Sequence, residues 1–177
     1  MSAWYFVQTP LGLAADCMVT VVSQYPVEFA RWRELSIDQF FEIVRLRYAV
    51  YALEQRVDAE DFDAVDRAQT TEHWWIRDDD ESLIAYLRLL TPPAGEPYPP
   101  KLSPATWVVG RMVVRQDQRR KGLAQHLLRA ALDAHPNEAF VLHAQAYTKS
   151  LYEKLGFTVF GQPFDEAGIA HVRMYRP

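Results

Sequence analysis

The chain has 177 residues, 49% of them apolar and 13% aromatic, with a formal net charge of −4, which suits one compact domain with a real core. That charge argues against a general nucleic-acid binder. The single cysteine, Cys17, excludes an intramolecular disulfide, and no His- or Cys-rich cluster has the spacing of a metal site, so no metal is expected.

Residues 1–25 carry apolar stretches broken by Pro10 and Asp16, and the first basic residue is Arg31. No positive leader segment precedes an apolar run, and no run reaches the ~18–20 residues of a membrane span. The stretch reads as an N-terminal extension ahead of a single domain over 26–177, with no membrane partner and a cytoplasmic location expected. Glu28 to Glu34 reads as a first strand. Ser36-Ile37-Asp38-Gln39 has capping-box form and opens a helix, with Ile37, Phe40, Phe41, Val44, Tyr48 and Tyr51 expected as its core face. Val57 to Thr71 is acidic and irregular. His73–Ile76 and Ser82–Leu90 read as a hairpin turning at Asp78-Asp79-Asp80. Thr91 to Pro104 carries six prolines, so it is a loop. Thr106 to Val114 is a buried strand in which Gly110 suggests a bulge. Gly122 to Ala134 is a helix, Ala139 to Gln145 a strand, and Thr148 to Leu155 a helix stopped by Gly156. Phe157–Pro163 and Ile169–Tyr175 form a last hairpin. The sum is a mixed α/β domain.

Charge is unevenly spread. Glu54 to Glu81 holds eleven acidic and three basic residues, whereas Arg111 to Arg129 holds six basic and one acidic. One region can therefore favour a cation and the other an anion, unless both are simply solvated faces. The basic region contains Arg119-Arg120-Lys121-Gly122-Leu123-Ala124, a glycine-bearing turn between a buried strand and a helix. Free N–H groups and partial positive charge at a helix N-terminus suit a phosphate, and Gly122 permits close approach. The Walker A pattern is missing, so nucleotide hydrolysis is not indicated.

The spacing of Arg119, Gly122 and Ala124 resembles motif A, [RQ]-x-x-G-x-[GA], of the GCN5-related N-acetyltransferases (GNAT). Leu151-Tyr152-Glu153-Lys154-Leu155-Gly156-Phe157 resembles their motif B. From about Phe29 to Met174 the chain is similar to the ElaA-like branch, through Glu34-Leu35-Ser36, Leu46-Arg47, Glu54-Gln55, Asp63, Asp66 and His73. Ala85 to Arg88, Gly110-Arg111, Ala144-Gln145 and Gly168-Ile169-Ala170-His171 extend the likeness, Ala170 standing where the branch has proline. The resemblance implies a GNAT fold, a mostly antiparallel mixed sheet with splayed strands and helices on both faces. It also implies acetyl-CoA as co-substrate and an amine acceptor, a small molecule or peptide, which the acidic segment suggests is cationic. A homodimer stays open.

By the same resemblance, Met112, Val113 and Val114 meet the pantetheine arm through main-chain groups, and Arg119 to Ala124 hold the pyrophosphate. The Met112 N–H is a donor to the thioester oxygen. Tyr152 is the general acid for the departing thiolate: a phenol with pKa near ~10 stays protonated at neutral pH. Gln145 contacts the pantetheine, orders a water or satisfies splayed backbone. The strand carries no carboxylate, so Glu54, His73, Glu166 and His171 are the candidates for a general base or acceptor site, with a water relay as another route. Arg47, Arg88 and Arg111 need partners in buried-looking elements, for which Asp63, Asp66 and Glu54 are candidates. Arg47, Tyr51, Asp63, Asp66 and Arg88-Leu89-Leu90 also resemble acyl-homoserine-lactone synthases, which use acyl carrier protein and S-adenosylmethionine. A non-catalytic acetyl-CoA sensor is the third reading.

Overall fold

The computed structural model describes residues 25–177. Cys17 and all but the last residue of the expected extension lie outside the described residues. Strand β1, Val27–Arg31, ends in a 3₁₀ turn over Trp32–Glu34. Ser36 caps helix α1, Ile37–Tyr48. Its hydroxyl accepts from the Gln39 N–H at 3.1 Å, and the Gln39 carboxamide oxygen accepts from the Ser36 N–H at 2.9 Å. These two reciprocal bonds satisfy donors that no helical carbonyl can reach. The helix continues as a π-helical stretch, Ala49–Glu54.

The face that α1 buries differs from the expected one. Ile43, Leu46, Arg47 and Val50 point inward, whereas Ile37 is 87% and Phe41 60% exposed, with Tyr48 also exposed. Arg47 sits on the buried face, so counting only apolar side chains displaced the core stripe by part of a turn.

The hairpin follows as β2, Glu72–Arg77, and β3, Leu83–Leu90, then β4, Trp107–Val114. Helix α2, Leu123–Ala134, leads to β5, Phe140–Gln145. The short helix α3, Lys149–Glu153, leads to β6, Thr158–Glu166, and β7, Ile169–Arg176. β6 outlasts the expected stop at Pro163. It lies at the sheet edge, where a residue without an N–H can be accommodated, and its register with β7 slips between Phe160 and Phe164.

All seven strands form one sheet in the order β1-β2-β3-β4-β5-β7-β6. Every neighbouring pair is antiparallel except β4–β5, which is parallel. α2 and α3 pack on one face, where Leu127, Leu128, Ala131 and Tyr152 meet Ile84, Leu87, Val109 and Leu142. α1 covers the other, with Ile43, Leu46 and Val50 against Trp75, Tyr86 and Val113. This is the expected GNAT architecture, a mixed sheet with helices on both faces.

The parallel pair is short. Trp107–Phe140, Val108–Val141 and Val109–Leu142 are in register, and there the pairing ends. β4 runs on to Val114 and β5 to Gln145, so the strands part into a V. The cause lies on the other side of β4. Its register with β3 slips between Tyr86 and Arg88, and Arg111 takes a left-handed φ of 53°. Such a bulge increases the local twist and bends the strand. Gly110 marks the place, but the unusual φ falls on its neighbour Arg111, and a Cβ on Gly110 would meet open space.

Candidate active site

The V opens into a cavity of about 1010 Å³, bounded by β4 and β5, the turn before α2, the start of α3, the segment after α1 and the β6–β7 corner. That volume is at the upper end for small-ligand sites. Its polar end is the N-terminus of α2. Arg120 and Gly122 both adopt left-handed φ, 63° and 84°, which turns the chain into the helix. The first intrahelical bond here runs from the His126 N–H to the Gly122 carbonyl. The N–H groups of Leu123, Ala124 and Gln125 are thus left to a ligand or water, at the positive end of a twelve-residue helix.

Arg119, Arg120, Gly122, Leu123 and Ala124 line the cavity. Lys121 does not; its Nζ donates to Gln118 Oε1 at 2.7 Å. Arg119 is held in place by donating to the Val114 carbonyl and, in a bidentate pair of 2.5 and 2.6 Å, to Glu54. This corrects the expected partners of Glu54, which joins the turn before α2 and not the buried arginines. The Arg119 hydrogen bond holds its carboxyl below the usual range, and Glu54 is outside the cavity lining, a poor position for a general base.

Met112 and Val114 line the cavity, and Val113 packs into the α1-side core, so only its main chain can face the gap. The Met112 carbonyl accepts from Tyr51 Oη at 3.3 Å. The π-helical stretch places that tyrosine, whose hydroxyl burial pushes upward in pKa. Tyr152, on α3, reaches the cavity from a buried position, and burial pushes its phenol up to about 12. Gln145, also on the wall, donates to Gln55 Oε1 at 3.2 Å and accepts from Tyr147 Oη.

The remaining base candidates separate. His73 is 1% exposed and lies outside the cavity lining. Its Nε2 meets the Asp66 carbonyl at 2.9 Å and its Nδ1 the Tyr86 hydroxyl at 2.7 Å. A carbonyl can only accept, so Nε2 carries the proton and Nδ1 spends its lone pair on Tyr86. Burial depresses its pKa. His73 is a structural neutral histidine, which corrects its candidacy as a base. His171 and Glu166 do line the cavity. His171 Nδ1 donates to the Ile169 carbonyl at 2.7 Å.

The arginines form an ion network beside the site. Arg47 pairs with Asp66 at 2.8 Å and Asp61 at 3.0 Å, and Arg88 with Asp66 at 2.8 Å and Asp63 at 3.1 Å. Arg111 pairs with Asp61 at 2.8 Å. Arg47 also lies over the Phe62 ring, 4.0 Å from its centre. Asp61 was missed because its neighbourhood lacks periodicity. His143 was missed too, although its place two residues before Gln145 puts both side chains on one face of β5. It lines the cavity where the strands part. Glu96 Oε1 lies 3.1 Å from its Nε2 and Glu166 Oε2 3.5 Å from its Nδ1.

Among the described residues, no cluster of His, Cys, Asp and Glu is arranged to hold a metal, and no helix is long and apolar enough to cross a membrane.

Comparison with known proteins gives one answer. The acetyltransferase (GNAT) domain family matches residues 50–176. Protein ElaA of Escherichia coli is 31% identical over 149 residues, covering 81% of this chain and 90% of ElaA. A UPF0039 protein of Mycobacterium tuberculosis is 30% identical over 145 residues, 82% of this chain and 88% of that protein. The crystal structure of E. coli ElaA superposes with a TM-score of 0.75 at 26% identity, covering 86% of this chain and 99% of that one. An acyl-CoA N-acyltransferase from Pseudomonas aeruginosa gives 0.75 at 27%, with the same coverage. A CoA-dependent acyl-homoserine lactone synthase shares the fold, with a TM-score of 0.68 at 17% identity over 85% of this chain and 82% of that one. The chain therefore belongs to the GNAT acetyltransferase family, in the branch that contains ElaA.

Proposed function

We propose that the protein transfers the acetyl group of acetyl-CoA to an amine by direct attack within a ternary complex. The observation that carries this reading is the V between β4 and β5, which opens onto the left-handed turn and free N–H groups of α2. A thioester on a long flexible arm with a pyrophosphate at its far end suits that combination. Arg119, Arg120 and the N–H groups of Leu123 to Gln125 would hold the pyrophosphate. The unpaired edge of β4 around Met112 to Val114 would hold the amide-bearing arm. The co-substrate supplies an activated acetyl group; the protein orients it and manages charge and protons.

In this reading the Met112 N–H stabilises charge growing on the thioester oxygen, and Tyr51 fixes the same stretch through the Met112 carbonyl. Tyr152 donates a proton to the departing sulfur. A phenol raised to about 12 stays protonated well above neutral pH. Asp58, Glu60, Asp61 and Glu166 line the acceptor end, which favours a cationic acceptor. Of the residues that resemble acyl-homoserine-lactone synthases, Arg47, Asp63, Asp66 and Arg88 are paired with one another as framework.

One experiment tests the reading: calorimetric titration with acetyl-CoA, then thiol release over amines, for the wild type, Gly122→Glu and Tyr152→Phe. Gly122→Glu should abolish binding. Tyr152→Phe should keep the affinity and slow transfer by about 10²-fold or more. Tight binding by Gly122→Glu would sink the pyrophosphate assignment, and an unchanged rate in Tyr152→Phe would remove the general acid.

A further inference from the structure

The V between β4 and β5 has a side chain at its apex that no motif assigns. Val109–Leu142 is the last registered pair, so His143 is the first residue of β5 beyond the parting, with Gly110 as the next residue on β4. Glycine there leaves the cavity in front of the imidazole open, and both residues line it. Two carboxylates flank the ring from different elements. Glu96 comes from the proline-rich loop and reaches Nε2 at 3.1 Å, with its side chain only 11% exposed. Glu166 comes from the end of β6, stands 3.5 Å from Nδ1, and is 51% exposed. The shorter contact, to the buried carboxylate, is the fixed one, and the longer one, to the half-exposed Glu166, is the one an incoming ammonium can replace.

We propose that His143 is the proton acceptor for the incoming amine, oriented by Glu96, and that Glu166 is the anchor that receives the acceptor as a primary alkylammonium. This rests on the acetyl-CoA reading above. With Nε2–H donated to Glu96, the neutral imidazole gives up the bond to Glu166 that only its protonated form can make and presents the Nδ1 lone pair to the cavity, the side on which Glu166 holds the ammonium. One N–H proton of the ammonium passes to Nδ1. The neutral nitrogen then attacks the thioester carbon, so a C–N bond forms and the C–S bond breaks. The nitrogen sheds a second proton as the amide forms, and this passes through solvent to restore the Tyr152 phenol, which has delivered its own to sulfur. His143 returns its proton to solvent, and one proton is released per turnover.

The neighbouring charges support that role. His171 and Arg111 face Glu166 from β7 and β4, and Arg173, paired with His143 across β5 and β7, lays its guanidinium 4.2 Å over the Phe164 ring. Phe164 in turn meets the His143 ring edge-on at 5.1 Å, fixing its plane. The Glu166 hydrogen bond raises the His143 pKa against the effect of burial, with Glu96 adding to the rise, and Glu166 is lowered correspondingly. The imidazole is therefore a stronger base than an isolated one, active above its raised pKa. Removing either carboxylate must move the acidic limb of the rate profile to lower pH.

The test has two readouts. The first is the His143 Cε1–H resonance followed against pH by NMR, in wild type, Glu96→Gln and Glu166→Gln. The second is kcat/KM against pH with spermidine, Nα-acetyl-lysine amide and octylamine, and with hydroxylamine, a nucleophile already neutral at pH 7. His143→Gln should lower kcat/KM by about 10²-fold or more for the best alkylamine, but by far less for hydroxylamine. Glu96→Gln and Glu166→Gln should each move both the resonance midpoint and the acidic limb to lower pH, and Glu166→Gln should also raise KM for the alkylamine. Calorimetry should show that each variant still binds acetyl-CoA. If the wild type does not bind acetyl-CoA, both readings fall. If binding is intact, this assignment alone is overturned by an unmoved acidic limb, by equal losses for alkylamine and hydroxylamine in His143→Gln, or by no transfer to any of the three amines.

Discussion

At the scale of single residues, Asp66 shows how the site is braced. It is 3% exposed, yet it accepts from both Arg47 and Arg88, and it also receives the Asp63 N–H at 3.2 Å. Burial alone would push its carboxyl up; the two guanidinium groups more than offset this and hold it below the usual range. A carboxyl depressed on folding adds stability above its unfolded pKa of about 3.9, and that stability is lost as pH falls through the lower folded value. Asp66→Asn leaves two buried arginines short of charge. It should cost about 3–5 kcal/mol at neutral pH, measured by urea denaturation, because the remaining ions keep their desolvation cost. The deficit relative to wild type should narrow in acid, where wild-type Asp66 also loses its charge. A variant as stable as the wild type at pH 7 would show that the pair is dispensable.

At the scale of elements, the strongest sequence signals were those with local chemistry. The capping box at Ser36, the glycine-bearing turn at Gly122 and the stop at Gly156 depend on neighbouring residues, and each sits where its residue types place it. The α1 core face was hidden because Arg47 occupies it and only the partners from 61 and 66 make that burial tolerable. Glu96 and Glu166 were illegible as companions of His143, since a proline-rich loop and the end of an edge strand meet it only in three dimensions. The true phase of α1 makes a sharp contrast testable by thermal or urea melts. Ile43→Ala, at a fully buried position, should cost about 2–5 kcal/mol through lost burial and the cavity left behind. Phe41→Ala, on the 60% exposed face, should change stability by about 0.5 kcal/mol or less. Equal losses would restore the stripe that apolar spacing suggested.

At the scale of the whole molecule, the uneven charge of the sequence is gathered into the wall of one cavity. The basic segment contributes Arg119 and Arg120 at the head of α2, and the acidic segment contributes Asp58, Glu60 and Asp61. A polyanionic ligand bound by the basic end couples to the fold, because α2 packs along the sheet through Leu127, Leu128 and Ala131. Acetyl-CoA at about 100 times its Kd should stabilise the protein by about 2.7 kcal/mol. For a chain of this size that raises Tm by roughly 5–10 °C. Because charge supplies part of the affinity, the shift should shrink when salt rises from about 50 to about 500 mM at fixed ligand concentration. Gly122→Glu should show no shift at either salt, since it places a carboxylate and a strained left-handed side chain at the helix N-terminus. A shift of equal size at both salt concentrations would mean that the grip is apolar, and that the basic turn contributes shape without charge.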